Sequence, residues 1–320
     1  MKIKSIFIIV VYSVLSGFYI PENPQIKISN GILKAMIYLP DAENGYYRAT
    51  RFDWSGVISS LEYRDHKYFG KWLDNYSPTS HNSIMGPVDS FEPLNYDDTK
   101  PGGAFVKIGV GSLMKTDNQP FNAFTTYPFI DLGTWEITSE EAKIKFQHIL
   151  DHKDYSYVYT KTIELVKGKA EMVITYKLKN TGKLAIATEV FNHNFLIFDD
   201  QVVGKGCELS FQKSISCADI SRGIGDIAEI HDKKLKIIRS LDKGESAYCG
   251  SLEGINNNLN GYNIKIDCFK TGTGVRITGN KPLSKLVFWC NTKTICPEPY
   301  ININVAPGKE FSWETTYEFL

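Results

Sequence analysis

Apolar residues recur at every second position along this chain, and no window sustains a helical period. Ala170, Met172, Ile174, Tyr176 and Leu178 alternate with Glu171, Thr175 and Lys177, so one face of that segment meets a core and the other meets water. Just upstream, Tyr155, Tyr157 and Tyr159 alternate with Ser156 and Thr160, and Lys167-Gly168-Lys169 supplies the turn of a hairpin. Asn30-Gly31 makes the same kind of turn between Gln25–Ser29 and 32–38. Asn180-Thr181-Gly182-Lys183, Asn260-Gly261 and Pro307-Gly308-Lys309 punctuate later strands. The segment 139–142 is the nearest approach to a helical turn. The stretch 74–103, rich in Ser, Pro, Asn and Asp, reads as the longest loop. This pattern predicts an all-β chain of antiparallel strands packed in large sheets, with one domain over 21–320.

Charge narrows the partners. Lys and Arg number 36 and Asp and Glu number 36, a formal balance of zero. Nucleic acid or an anionic membrane would select a basic face, so neither is expected as the main partner. The 18 Tyr and 18 Phe suit both pleated β-surfaces and the stacking of sugar rings. Lys2 and Lys4 precede an apolar run over 6–15, and small residues before Gly17 offer a cleavage site. We therefore expect residues 1–16 to be a signal peptide, the mature chain to be periplasmic or extracellular, and no membrane span in it. The six cysteines have no zinc-ligand spacing. In an oxidising compartment Cys290 and Cys296 are close enough to flank a turn, while most of the six read as small buried hydrophobes.

Two short stretches carry chemistry. Phe191-Asn192-His193-Asn194-Phe195 follows an alternating run over 184–190, and its two Asn can fix the tautomer of the His between them. Cys296-Pro297-Glu298-Pro299 wedges a carboxylate between two prolines that restrict its backbone at a strand end. Each also has a plain reading, a satisfied structural His and an exposed turn. Together, on an all-β chain, they resemble the galactose mutarotase (aldose 1-epimerase) superfamily. That family carries an Asn-His motif mid-chain and a Glu-Pro run near the C-terminus. The closing Pro307-Gly308 turn and final strand 311–319 resemble the family's ending, and the run from Asn44 to Tyr63 resembles opening strands of an exported subgroup.

The resemblance implies an antiparallel galactose mutarotase-like β super-sandwich and anomer interconversion by ring opening, with His193 as acid and Glu298 as base. It requires no metal and no cofactor, and its substrate would be a small sugar or an oligosaccharide. Arg51 matches the family's sugar-holding arginine best, with Arg48 and Lys107 as further candidates. Asn192 would contact substrate, and Trp289 or Trp72 could stack on a sugar face or belong to the core. The family's second His is replaced at Gly102, with His81 nearby in the sequence. That departure keeps a non-catalytic carbohydrate-binding protein open as the alternative, and carbohydrate cleavage ranks third. The acidic residues Asp89, Glu92, Asp97 and Asp98 could hold calcium but fit a solvated loop better.

Overall fold

A computed structural model describes residues 23–152, 154–218, 221–255 and 261–320. The expected signal peptide and the Asn260 turn residue lie outside them. Alternation becomes strand throughout, and no helix occurs among the described residues. Ten strands form one sheet in the order Ala228–His231, Lys234–Ile237, Cys207–Phe211, Tyr262–Cys268, Thr273–Gly279, Glu310–Phe319, Glu171–Asn180, Tyr157–Leu165, Lys143–Leu150 and Thr134–Glu140. Six strands form a second, in the order Ser221–Arg222, Ser246–Cys249, Lys285–Asn291, Ile295–Val305, Ile186–His193 and Val88–Phe91. The strand pairs within these two sheets are antiparallel, and the inner faces of the two sheets share one apolar core. A four-stranded sheet built from Gln25–Ser29, Leu33–Tyr38, Val57–Tyr63 and His66–Phe69 packs against that core. The result is the expected antiparallel β super-sandwich.

The turns fall where the sequence puts them: Asn30-Gly31 and Lys167-Gly168-Lys169 each join consecutive paired strands, while Pro307-Gly308-Lys309 carries the chain from the six-stranded sheet to the ten-stranded one. Three expectations change. Residues 139–142 contain no helical turn; 139–140 end one strand and 141–142 are the tight connection to the next. The stretch 74–103 is not one loop, because Val88–Phe91 leaves it to pair with Ile186–His193. The run from Asn44 to Ser55 is irregular rather than a strand, a knot of buried aromatics formed by Tyr46, Tyr47, Phe52 and Trp54.

Between the two large sheets lies a polar cluster that the sequence reading passed over. Lys161 sits on the inward face of Tyr157–Leu165, fully buried, with its Nζ 2.8 Å from Asp89 and 3.5 Å from Asp53. Burial opposes its charge, but the two carboxylates outweigh burial and raise its pKa. Asp53, equally buried, is pushed up to about 6 by desolvation despite Lys161. Continued period-2 alternation through Tyr157 and Tyr159 aims Lys161 inward, which is the signal that could have found it.

Candidate functional site

The outer face of the six-stranded sheet is set by register. Arg222 opposes Tyr248, Tyr248 opposes Trp289, and Trp289 opposes Cys296. Glu298 and Tyr300 follow Cys296 on the same face of their strand, and Tyr300 opposes Phe191, which shares its face with His193. A concave cleft of about 500 Å³ opens on this face, lined by Arg51, Trp72, Asn82, Phe124, His193, Phe195, Arg222, Tyr248, Val287, Trp289, Glu298 and Tyr300.

Glu298 lies inside the strand Ile295–Val305, not at a strand end or in a turn. Its flanking prolines are tolerated because Ile186–His193 stops pairing at Tyr300. Beyond that point the Asn194 side chain donates to the Pro297 carbonyl at 2.6 Å, replacing a ladder partner. Phe195 turns the chain with a positive φ of 38°, a costly conformation for a bulky residue and one that clusters at functional sites. The turn lays its ring parallel to the His193 imidazole, centroids 3.7 Å apart. Phe52 and Trp289 close on His193 edge-on, each at 5.8 Å. The imidazole is thereby locked with its Nε2 3.2 Å from a Glu298 carboxylate oxygen.

Electrostatics follow from that packing. Burial, and then the Arg51 charge, hold the His193 pKa well below the usual imidazole value. Burial pushes Glu298 up to about 7, with Arg51 and Lys285 pulling the other way. Burial thus favours placing the pair's proton on Glu298 rather than on His193, and at this separation the titration belongs to both groups. Arg51 arrives from the irregular aromatic run rather than from a strand. Its guanidinium sits between the Phe52 and Phe124 rings, 4.6 and 4.5 Å from their centroids, and donates to Asn82 Oδ1 at 3.1 Å. Trp289 and Trp72 both line the cleft, 5.5 Å apart and edge to face.

Three candidate residues lie elsewhere. Asn192, next to His193 on a strand, points to the opposite face, where it donates to Asp89 Oδ1 at 3.0 Å and accepts from the Tyr317 hydroxyl at 2.7 Å. Tyr317 also donates to Asn194 Oδ1, so one hydroxyl holds both neighbours of His193. Lys107 is buried against the Phe91 carbonyl and Ser90, and burial lowers its pKa to about 7. Among the described residues the Arg48 side chain donates only to the Ala42 carbonyl, at 3.4 Å. Gly102 sits in a turn with open space around it, outside the cleft lining. His81 stands just behind the rim, edge-on to Phe124 at 5.1 Å.

The cysteines also differ from expectation. Cys207 is bonded to Cys268 and Cys217 to Cys249, while Cys290 and Cys296 are free and buried. Cys290 opposes Ile295 and Cys296 opposes Trp289, so their side chains leave opposite faces of the sheet and cannot meet. Asp89 is committed to the inter-sheet cluster, and no group of three or more His, Cys, Asp or Glu side chains is placed to hold a metal among the described residues. No described helix is long and apolar enough to cross a membrane.

Sequence comparison places nothing beside this chain: no protein-family model and no curated protein matches it. Solved structures do. A galactose mutarotase related enzyme from Lactobacillus acidophilus aligns over 92% of this chain and 97% of its own, with a TM-score of 0.54 at 12% identity. An aldose epimerase homologue from C. elegans aligns over 93% and 99%, with a TM-score of 0.55 at 11% identity. A galactose mutarotase-like protein from Lactobacillus casei covers 92% of this chain and 100% of its own, at a TM-score of 0.54 and 12% identity. The chain thus has the galactose mutarotase-like fold.

Proposed function

We propose that the protein is an aldose 1-epimerase-like isomerase that interconverts sugar anomers in this cleft. The observation that carries the reading is the 3.2 Å approach of His193 Nε2 to Glu298 inside a sugar-sized, aromatic-lined concavity. Ring opening removes a proton from the anomeric hydroxyl and delivers one to the ring oxygen as the C1–ring oxygen bond breaks. Glu298 takes the first proton and His193 supplies the second. The acyclic aldehyde rotates about C1–C2, and the same transfers run backward on closure. The working form is the singly protonated pair with its proton on His193; burial favours the proton on Glu298, so Arg51 and the hydroxyls of a bound sugar must draw it back by favouring the ionised carboxylate. Arg51, fixed between two rings, is a multidentate donor for sugar hydroxyls and supports the Glu298 carboxylate. The two disulfides support the expectation that the protein works in an oxidising compartment outside the cytoplasm.

The test separates binding from turnover. Glu298→Gln keeps the shape of the carboxylate without its basicity, so it should bind sugars within a few-fold of wild type while anomerisation falls by ~10²-fold or more. Saturable binding by wild type without anomerisation would make the cleft a carbohydrate-binding site only. A Glu298→Gln variant with unchanged turnover would refute the assigned base.

A further inference from the structure

We propose that the ligand is anionic: a sugar chain of at least two residues whose carboxylate, sulfate or phosphate group docks on Arg222. The inference rests on the sugar-binding reading of the cleft and names its substrate class.

The charges in the cleft are unbalanced. Arg222 lines it from the strand Ser221–Arg222, and no hydrogen bond or ion pair engages its guanidinium among the described residues. Arg51 meets an amide and two rings and acts on Glu298 through its charge, without a direct ion pair among the described residues. Lys285 stands outside the lining, its Nζ 4.3 Å from the Tyr300 ring, where Glu189 also acts on Tyr300, so this side adds no net charge. Among the described residues Glu298 is the single acid of the lining, and burial drives it toward its neutral form. A neutral sugar leaves this excess unanswered. An anion entering a walled cleft of one sign is both steered and held, and a guanidinium grips a carboxylate, sulfate or phosphate by two parallel hydrogen bonds.

Geometry sets the length. Arg222 and Glu298 share a sheet face, and the strands that carry them are three intervals apart in the sheet order. At ~4.8 Å per interval that is about 14 Å, more than one pyranose ring spans. The Tyr248 and Trp289 rings lie between, where a second sugar residue would rest. The strand bearing Arg222 is only two residues long, yet it is anchored at both ends. The Cys217–Cys249 disulfide ties the preceding segment to the neighbouring strand. Gly223, with φ +70°, then folds the chain flat on that strand, where a Cβ would lie 3.0 Å from the Ser246 carbonyl oxygen and 3.2 Å from Ala247 Cα. The Gly223 carbonyl accepts from the Ile227 and Ala228 amides. A surface arginine serving only solubility needs no such anchoring.

The experiment is titration calorimetry of the full chain at low salt with digalacturonate, a 6-sulfated disaccharide, lactose and glucose 6-phosphate. We expect digalacturonate or the sulfated disaccharide to bind at least ~10-fold tighter than lactose, the tighter of the two naming the anion. The preference should shrink in high salt and disappear in Arg222→Gln, an exposed position where folding can be checked by circular dichroism. Equal binding of lactose and both acidic disaccharides would overturn the inference, as would a preference untouched by Arg222→Gln. Tight, Arg222-dependent binding of glucose 6-phosphate alone would overturn the two-residue length. Acidic binding without anomerisation would leave this inference standing while removing the proposed isomerase. Anomerisation without acidic preference would do the reverse.

Discussion

Replacing Glu298 by Gln should make the protein more stable at alkaline pH while disabling it. Burial raises the Glu298 pKa from 4.5 to about 7, so ionising it in the folded chain is harder than in the unfolded chain. At about 1.36 kcal/mol per pH unit, this corresponds to ~3 kcal/mol. The sign follows from a raised folded pKa. The stabilising contribution is complete below pH 4.5 and is lost as pH rises through about 7. Glutamine does not titrate, so the variant and wild type should match near pH 4 and diverge to ~3 kcal/mol in the variant's favour by pH 8. The Asp53 contribution is present in both proteins and largely cancels from the comparison. Urea unfolding followed by tryptophan fluorescence at pH 4 and pH 8 measures it. Equal stabilities at pH 8, or a less stable variant, would show that the carboxylate is comfortable where it sits, and the argument for a poised base would fail.

Turnover itself should fall as pH rises through about 7, where the pair loses its shared proton, and a rate still climbing at pH 9 would contradict the proton-sharing account. Lys161→Met leaves Asp53 and Asp89 buried without their cation and should cost ~3–5 kcal/mol by chemical denaturation at pH 7. That penalty should narrow as pH falls through about 6, where Asp53 takes up a proton, and a pH-independent loss would point to packing alone. Ellman titration should find no reactive thiol in the native protein, two after unfolding without reductant and six after reduction, from the two free cysteines and two disulfides.

The fold was legible because period-2 alternation and turn residues are local properties, and Tyr157–Leu165, Glu171–Asn180 and their hairpin are carried by residues within a few positions of one another. The candidate pair was legible through resemblance, since nothing in the spacing of His193 and Glu298 fixes a 3.2 Å approach across sheet register. What escaped depends on which face a residue takes. Asn192 reads as a partner of His193 in sequence, yet adjacency on a strand sends it to the inter-sheet side. Lys107 looks free in sequence and is buried. Arg222, Tyr248 and Asn82 reach the cleft from three separate segments, so only the pairing of distant strands brings them together. The disulfides escaped for the same reason: Cys207 and Cys268 oppose each other across a strand pair 61 residues apart in sequence.

The central claim, that His193 and Glu298 open and reclose a sugar ring, is tested most directly by exchange NMR on the α and β anomers of free reducing sugars, neutral and acidic, in the presence of wild-type protein. The account predicts that anomer exchange for at least one of them accelerates in proportion to protein concentration, and that Glu298→Gln removes the acceleration at equal concentration. Exchange that stays at the buffer rate for every sugar the protein binds would contradict it.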